Sequence, residues 1–251
     1  MRSLMAWFAA SSILIAGCGT SKSPADVDSL KAEAFLLYEE GKPAQAIPIA
    51  RAALAAAEKK YRPDSEELAD CWIGLGRILA SNKQFEEAIQ SFDKALLIYR
   101  SSKAGKEYQA MALLHSAGAY FNFDKLDQAT ERYVEAVLAF KEAGMENSLN
   151  CLSAVVDLAG IQIKKGDLAN ADGFLQSALK ACRTEPNVPA PIYCTVLNNI
   201  GEIYYLRGEY EDALKYYKEA VEMAEAKMPT NIIGLPVYRK NVQNAKAKLK
   251  K

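Results

Sequence analysis

The 251-residue sequence predicts an all-α fold, a right-handed superhelical α-solenoid of five helical hairpins followed by a C-terminal capping helix. From Asp26 onwards the apolar residues are spaced as in helices, and no stretch alternates with a two-residue period. An alanine also recurs at intervals of 42, 41, 42 and 42 residues, which indicates one unit repeated five times. Such hairpins bury their apolar faces only by stacking on neighbours. The recurring alanines are Ala46, Ala88, Ala129, Ala171 and Ala213.

The chain begins with a pattern that predicts a secretory signal. Arg2 is followed by an apolar run that is shorter than the roughly 20 residues of a stable membrane-spanning helix, and small residues precede Cys18. Residues 14–18, Leu-Ile-Ala-Gly-Cys, resemble the bacterial lipoprotein signal, the lipobox. The resemblance implies that residues 1–17 are removed, that Cys18 is acylated, and that residues 18–26 form a short tether to the membrane.

The residue after the cysteine bears on which membrane the anchor enters. By the same resemblance, Gly19 in place of an aspartate favours the outer membrane of a Gram-negative cell envelope, on its periplasmic side or at the cell surface, over the inner membrane. An ordinary signal peptide with an incidental Cys18 is the alternative interpretation.

Each repeated unit combines small and large residues at constant spacings. A small residue stands twelve positions before the recurring alanine, a mostly large one stands four positions after it, and a second alanine stands seven positions after it. Small residues let two helices approach closely, and the large one fills the remaining space. The small residues are Ala34, Gly76, Ala117, Ala159 and Gly201, and the positions four after hold Ala50, Phe92, Tyr133, Leu175 and Tyr217.

This arrangement resembles the tetratricopeptide repeat. The second unit has the family's signature residues, and the fifth is close to it. The period of about 42 instead of roughly 34 residues, together with the run Leu-Asn-Asn-Ile-Gly at 197–201, resembles the kinesin-light-chain variety. The resemblance implies five repeats over residues 27–226, then a capping helix and basic tail over 227–251. The signature residues of the second unit are Trp72, Leu75, Gly76, Ala88, Phe92 and Ala95.

Local signals predict where helices begin and end. Gly41, Gly166 and Gly208 fall where the two helices of a hairpin are joined, and glycine readily adopts the left-handed conformation that ends a helix there. Asp64 with Glu67 predicts the start of the third helix.

In tetratricopeptide proteins the first helix of each hairpin lines a concave surface, so the resemblance predicts a groove with mixed charge, amides and aromatics. Such a groove suits an extended peptide or a partner helix. The family's lysine-and-asparagine clamp for a terminal carboxylate is not reproduced. The alternative interpretation is that these polar residues form a solvent-exposed face without a binding role. The predicted groove residues are Arg77, His115, Asp157, Lys164, Asn198, Asn199 and Glu202, with aromatic contacts from Phe35, Tyr38, Phe121 and Tyr205.

Composition and motifs argue against catalysis. Lysine plus arginine equals aspartate plus glutamate at 31 each. The chain therefore lacks the excess of basic residues that would predict nucleic-acid binding. The chain has a single histidine, and it lacks a phosphate-binding loop, a zinc-ligand spacing and a nucleophile motif. We therefore expect no enzyme activity, no cofactor and no metal. The glycines in residues 74–80 have the outline of a dinucleotide-binding run, but they occupy repeat positions within a helix.

Four cysteines follow Cys18. In an antiparallel hairpin Cys151 lies near Cys182, and Cys194 begins the next helix and competes for the same partner. One disulfide at Cys182, or free thiols buried in the core, are both consistent with the sequence.

Taken together, the sequence predicts a lipid-anchored scaffold or adaptor that binds another envelope protein. Three alternatives remain at this stage. One is an accessory lipoprotein for pilus, secretion or outer-membrane assembly, and another is a structural module that self-associates into homo-oligomers. The third is an enzyme or small-ligand receptor, which a deep apolar pocket with a perturbed titratable group would indicate.

Overall fold

The computed structural model describes residues 26–102, 104–227 and 234–250. Over these residues it contains helices and no strands, and the predicted all-α class of stacked helical hairpins is confirmed. The predicted signal peptide, Cys18 and most of the tether lie outside the described residues. None of the described helices is both long and apolar enough to cross a membrane.

The chain divides into two compact units between Lys125 and Leu126. In the first unit each helix packs on the next one along the chain, and α3 also contacts α1 and α5. Consecutive hairpins therefore share a continuous core. The helices of this unit are α1 (Val27–Glu39), α2 (Pro43–Lys60), α3 (Glu66–Ser81), α4 (Phe85–Ser101) and α5 (Lys106–Asn122).

The second unit follows the same rule. Helices α6 to α11 pack in chain order, and α7 also contacts α9, so the first helices of neighbouring hairpins are adjacent. The predicted capping helix is present as α11, which packs on α10 through the fully buried Ala245 and the almost fully buried Tyr238. The helices are α6 (Leu126–Glu142), α7 (Leu149–Lys165), α8 (Leu168–Thr184), α9 (Ala190–Arg207), α10 (Tyr210–Lys227) and α11 (Leu235–Lys248).

The recurring small residues form the contacts that the repeat pattern predicts. All five alanines of the 42-residue series are completely buried. Gly76 faces the ring of Phe92 so closely that a Cβ atom there would lie 2.6 Å from Cε1 of the ring. The absence of a side chain at Gly76 therefore lets α3 and α4 approach each other.

Left-handed residues end the first helix of every hairpin. Gly41, Gly166 and Gly208 have φ angles of 71°, 79° and 83°, as predicted. The second and third hairpins use Lys83 and Asp124 at the corresponding positions, with φ angles of 61° and 58°. The turn geometry is therefore common to all five hairpins, whereas glycine is present in only three of them.

The start of α3 differs from the prediction by one residue. Ser65, not Asp64, is the N-cap, and its hydroxyl oxygen accepts a hydrogen bond from the backbone N–H of Leu68 at 3.3 Å. Asp64 instead forms an exposed ion pair with Arg62, in which Nη2 and Oδ2 are 2.8 Å apart.

Candidate functional site

Arg77 is the central charged group on the first-helix face of the first unit. It projects from α3, is half-buried, and its guanidinium carbon lies 5.6 Å from the ring centroid of Tyr38 on α1. Within the described part of the chain, no carboxylate forms an ion pair with this guanidinium. The cation–π contact therefore holds in place a positive charge that no described acidic side chain pairs with.

A shallow hollow adjoins this arginine. Besides Arg77 and Tyr38 it is lined by Phe35 of α1 and by Gly74 and Ile78 of α3. Apolar and aromatic groups make up most of this lining. The arrangement combines apolar contact area with one available cation, which suits a protein segment more than a polar metabolite.

His115 projects from α5 on the same unit. Its imidazole stacks on Phe92, with ring centroids 5.7 Å apart and planes at 26°. Burial, and secondarily the charge of Arg77, lowers the pKa of His115 from its ordinary 6.5 to about 4. The ring is therefore neutral at physiological pH, and it contributes packing and one hydrogen-bond donor to this face.

In the second unit Asp157 of α7 is exposed at its predicted position. Its Oδ2 accepts a hydrogen bond of 3.0 Å from the hydroxyl of Tyr133 on α6. Desolvation raises the pKa of Asp157 above its usual value, and the hydrogen bond from Tyr133 partly opposes that rise. The tyrosine fixes the orientation of the carboxylate and leaves its second oxygen for another donor.

Glu202 and Lys164 are two further charged residues predicted to line the groove in the second unit. Glu202 on α9 is half-buried, and loss of surrounding water raises its pKa. Neither a hydrogen bond nor an ion pair joins its carboxylate to another described residue. Lys164, near the end of α7, is exposed. The helices that bear these two residues, α7 and α9, contact each other.

The two asparagines of α9 differ in their surroundings. Asn199 is half-buried, but Asn198 is only 8% exposed, and its Oδ1 accepts a hydrogen bond of 2.9 Å from Nδ2 of Asn241 on α11. The side chain of Asn198, predicted as a groove residue, therefore already has a partner within the chain. Asn241 was not among the predicted residues, because the repeat pattern that identified the others ends before α11.

All four described cysteines are free and buried, so the structure contains no disulfide among them. Burial raises the pKa of each thiol, to about 11 for Cys71 and Cys194. Protonated, inaccessible thiols are unreactive, which fits packing roles for Cys71, Cys151, Cys182 and Cys194. Across the described residues, no three His, Cys, Asp or Glu side chains are grouped so that they could hold a metal ion.

Sequence reasoning also missed a polar contact in the first unit. The hydroxyl of Tyr99 on α4 donates to Oδ1 of Asp70 on α3 at 2.7 Å, and the Tyr108 ring stacks on Tyr99 with centroids 5.5 Å apart. Burial raises the pKa of Asp70, and the hydrogen bond from Tyr99 opposes this. No motif marks these residues, since their spacing is not repeated in the other units.

Comparisons with known proteins agree with the repeated hairpins. The tetratricopeptide repeat family model matches residues 28–101 and 152–226, together more than half of the chain. The chain is similar to Protein KINESIN LIGHT CHAIN-RELATED 1 of Arabidopsis thaliana, at 24% identity over 163 residues that cover 64% of this chain and 26% of that protein. The chain spans between 18% and 26% of the length of the curated relatives it matches.

Two solved structures share the fold. The crystal structure of BtubC (BKLC) from P. vanneervenii aligns with a TM-score of 0.67 at 18% identity, over 89% of this chain and 84% of that one. The apo form of RapI aligns with a TM-score of 0.72 at 14% identity, over 89% of this chain and 63% of that one. At these identities the likeness concerns architecture alone.

Proposed function

Because the chain belongs to the tetratricopeptide repeat family, we propose that it is a lipid-anchored adaptor of a bacterial cell envelope that binds a segment of a partner protein. Solenoids of this family commonly mediate protein–protein interactions through the extended surface that their stacked hairpins provide. We propose a binding role and not a catalytic one, with an envelope protein as the partner.

The observation that carries this proposal is the surroundings of Arg77. A half-buried guanidinium lies over the ring of Tyr38 without an ion pair to any described carboxylate, and an apolar hollow lies beside it. Leaving a charge partly desolvated and unneutralised reduces stability. Retaining such a group is reasonable where a bound partner supplies the missing acceptor, and arginines and aromatic residues contribute most to such contacts.

The membrane anchor is the second part of the proposal. It is supported by the lipobox-like residues before Cys18 and by the short distance from Cys18 to the start of α1 at Val27. We place the anchor in the outer membrane, because Gly19 and not aspartate follows the cysteine. A tether of this length keeps the repeats close to the bilayer, since each extended residue spans about 3.3 Å.

Crosslinking in intact cells tests the adaptor role. A tagged wild-type chain is compared with an Arg77→Ala, Asp157→Ala and Asn199→Ala triple variant, and with Arg51→Ala, which removes an exposed arginine of α2 that is paired with Glu87. We expect one co-purifying envelope protein that is lost in the triple variant and retained in the control. The single variant Arg77→Ala shows whether the first unit contributes to partner binding. An identical set of proteins from all variants contradicts binding at these faces.

Cell fractionation tests the anchor independently. We expect Cys18→Ala to remove the protein from washed membranes, and Gly19→Asp to move it from the outer to the inner membrane fraction. If Cys18→Ala partitions with membranes as the wild type does, the lipid anchor is wrong. The partner-binding experiment remains interpretable in that case, because it uses residues of the folded units.

A further inference from the structure

The capping helix α11 has a charge distribution unlike that of the rest of the chain. Residues 235–250 contain five basic residues and no acidic one, although the whole sequence has a net charge of zero. All five are exposed. The helix, together with Lys250 two residues after its end, therefore presents a local positive surface, which we call the α11 basic face, formed by Arg239, Lys240, Lys246, Lys248 and Lys250.

Most of this charge is not neutralised. Arg239 pairs with Glu225 of α10, with Nη2 and Oε1 2.7 Å apart. The four lysines form no ion pair with any described carboxylate, and Lys248 only approaches the ring of Tyr210, at 5.9 Å from the centroid. Four uncompensated positive charges thus lie within about four helical turns.

The residues through which α11 packs on the protein are different from those of the α11 basic face. Tyr238 and Ala245 are buried against α10 and its surroundings, and Asn241 donates to Asn198. This packing fixes the helix on the unit and leaves its basic side chains exposed to solvent. Val237 of α11 is also 52% exposed. A fixed helix with exposed cations and an exposed apolar side chain forms a preorganised surface for an anionic partner.

We infer that the α11 basic face docks on the anionic headgroups of the membrane in which the chain is anchored. The choice of a membrane rests on the proposed function, which places the chain in an envelope and away from nucleic acid. The exposed side of α11 also has no aromatic ring to stack on bases, because Tyr238 is buried. Each lysine near an anionic surface contributes about 1 kcal/mol, so four act together with the lipid on Cys18.

Residue-specific lysine labelling tests this inference on the protein as it is purified from cells. The chain is reconstituted into vesicles of phosphatidylcholine, or of phosphatidylcholine with about one third phosphatidylglycerol. A water-soluble amine-acylating reagent is added, and the rate at each lysine is read by mass spectrometry. Lys94, Lys141 and Lys180 are the internal controls, since they are exposed on α4, α6 and α8 and form no ion pair with a described carboxylate.

We expect Lys240, Lys246, Lys248 and Lys250 to react several-fold more slowly on anionic than on neutral vesicles, with the three control lysines unchanged. About 1 M salt abolishes the difference, because charges are then screened within about 3 Å. In a Lys240→Gln, Lys246→Gln and Lys250→Gln variant, we expect Lys248 to lose its protection.

Three outcomes overturn the inference. The α11 lysines react equally on both vesicles, or all lysines slow down together, or duplex DNA protects the α11 lysines where anionic vesicles do not. Flotation of the chain with neutral vesicles reports separately on the lipid anchor. A failed anchor and a failed α11 contact therefore give different results.

Discussion

The ring of Tyr217 occupies the space that a side chain on Gly201 would need, since a Cβ atom at Gly201 would lie 2.7 Å from Cδ1 of the ring. The fourth repeat has the corresponding pair as Ala159 and Leu175, both fully buried. In these two repeats, a larger residue on the second helix is matched by a smaller one on the first. The distance between the helices of a hairpin thus depends on the two side chains jointly.

Gly201→Ala is expected to lower the free energy of unfolding by about 1–3 kcal/mol, because the new methyl group overlaps the Tyr217 ring. Combining it with Tyr217→Leu, which recreates the Ala159 and Leu175 pair, is expected to recover part of the loss. Urea unfolding of both single variants and the double variant gives the interaction energy.

Gly173→Ala is the matched control. Gly173 is an exposed glycine within α8, and nothing lies within 4 Å of a Cβ atom there. Alanine should stabilise this helix by about 0.5–1 kcal/mol. Equal stability changes for Gly173→Ala and Gly201→Ala contradict the steric account.

The single histidine allows a direct titration. The folded-state pKa of His115 is about 4, below its ordinary 6.5, so between these values the unfolded chain binds a proton that the folded chain does not. The stability associated with this group is complete above pH 6.5 and decreases as the pH falls to 4, by at most about 3 kcal/mol. A pH titration of the imidazole signals by proton NMR should have its midpoint near pH 4.

Two results would contradict this environment for His115. One is an imidazole midpoint near 6.5, which would mean that the ring is solvated and not held against Phe92. The other is a His115→Gln variant with the same loss of stability between pH 6.5 and 4 as the wild type, since that variant has no imidazole to protonate.

Asn241→Ala is expected to lower the free energy of unfolding by about 1–2 kcal/mol. The substitution leaves the carbonyl oxygen of the buried Asn198 without its hydrogen-bond donor. Asn244→Ala, at an exposed position of the same helix where the side chain forms no hydrogen bond with a described residue, serves as the control and should change stability little. Thermal unfolding of the two variants distinguishes them, and equal effects would show that the Asn198–Asn241 contact is not stabilising.

Thiol counting tests the state of the cysteines. In the Cys18→Ala protein we expect four thiols to react with Ellman's reagent after unfolding in denaturant, and none to react quickly in the folded state, because Cys71, Cys151, Cys182 and Cys194 are buried with raised pKa values. Two thiols instead of four after unfolding without reductant would indicate a disulfide at Cys182.

The 42-residue repeat period and the sizes of the residues at the repeated positions were sufficient to predict the hairpins. All five alanines of the 42-residue series are buried, and the glycines of three turns were predicted from residue type and position. These features recur in each repeat because the two helices of every hairpin pack under the same steric constraint. The pattern can therefore be recognised from its five copies in the sequence. The turns at Lys83 and Asp124 could not be predicted in this way, because residues other than glycine seldom adopt positive φ angles.

The sequence by itself determined the fold class, the number of hairpins and the position of the capping helix. Only the tertiary structure decided the partners of individual polar groups: Asn198 with Asn241, Asp157 with Tyr133, and Arg77 with an aromatic ring and no acid. The physical reason is that repeat periodicity reflects the packing that all hairpins share. Hydrogen bonds and charge pairs join side chains on different helices, and a separation of a few ångströms decides whether they form.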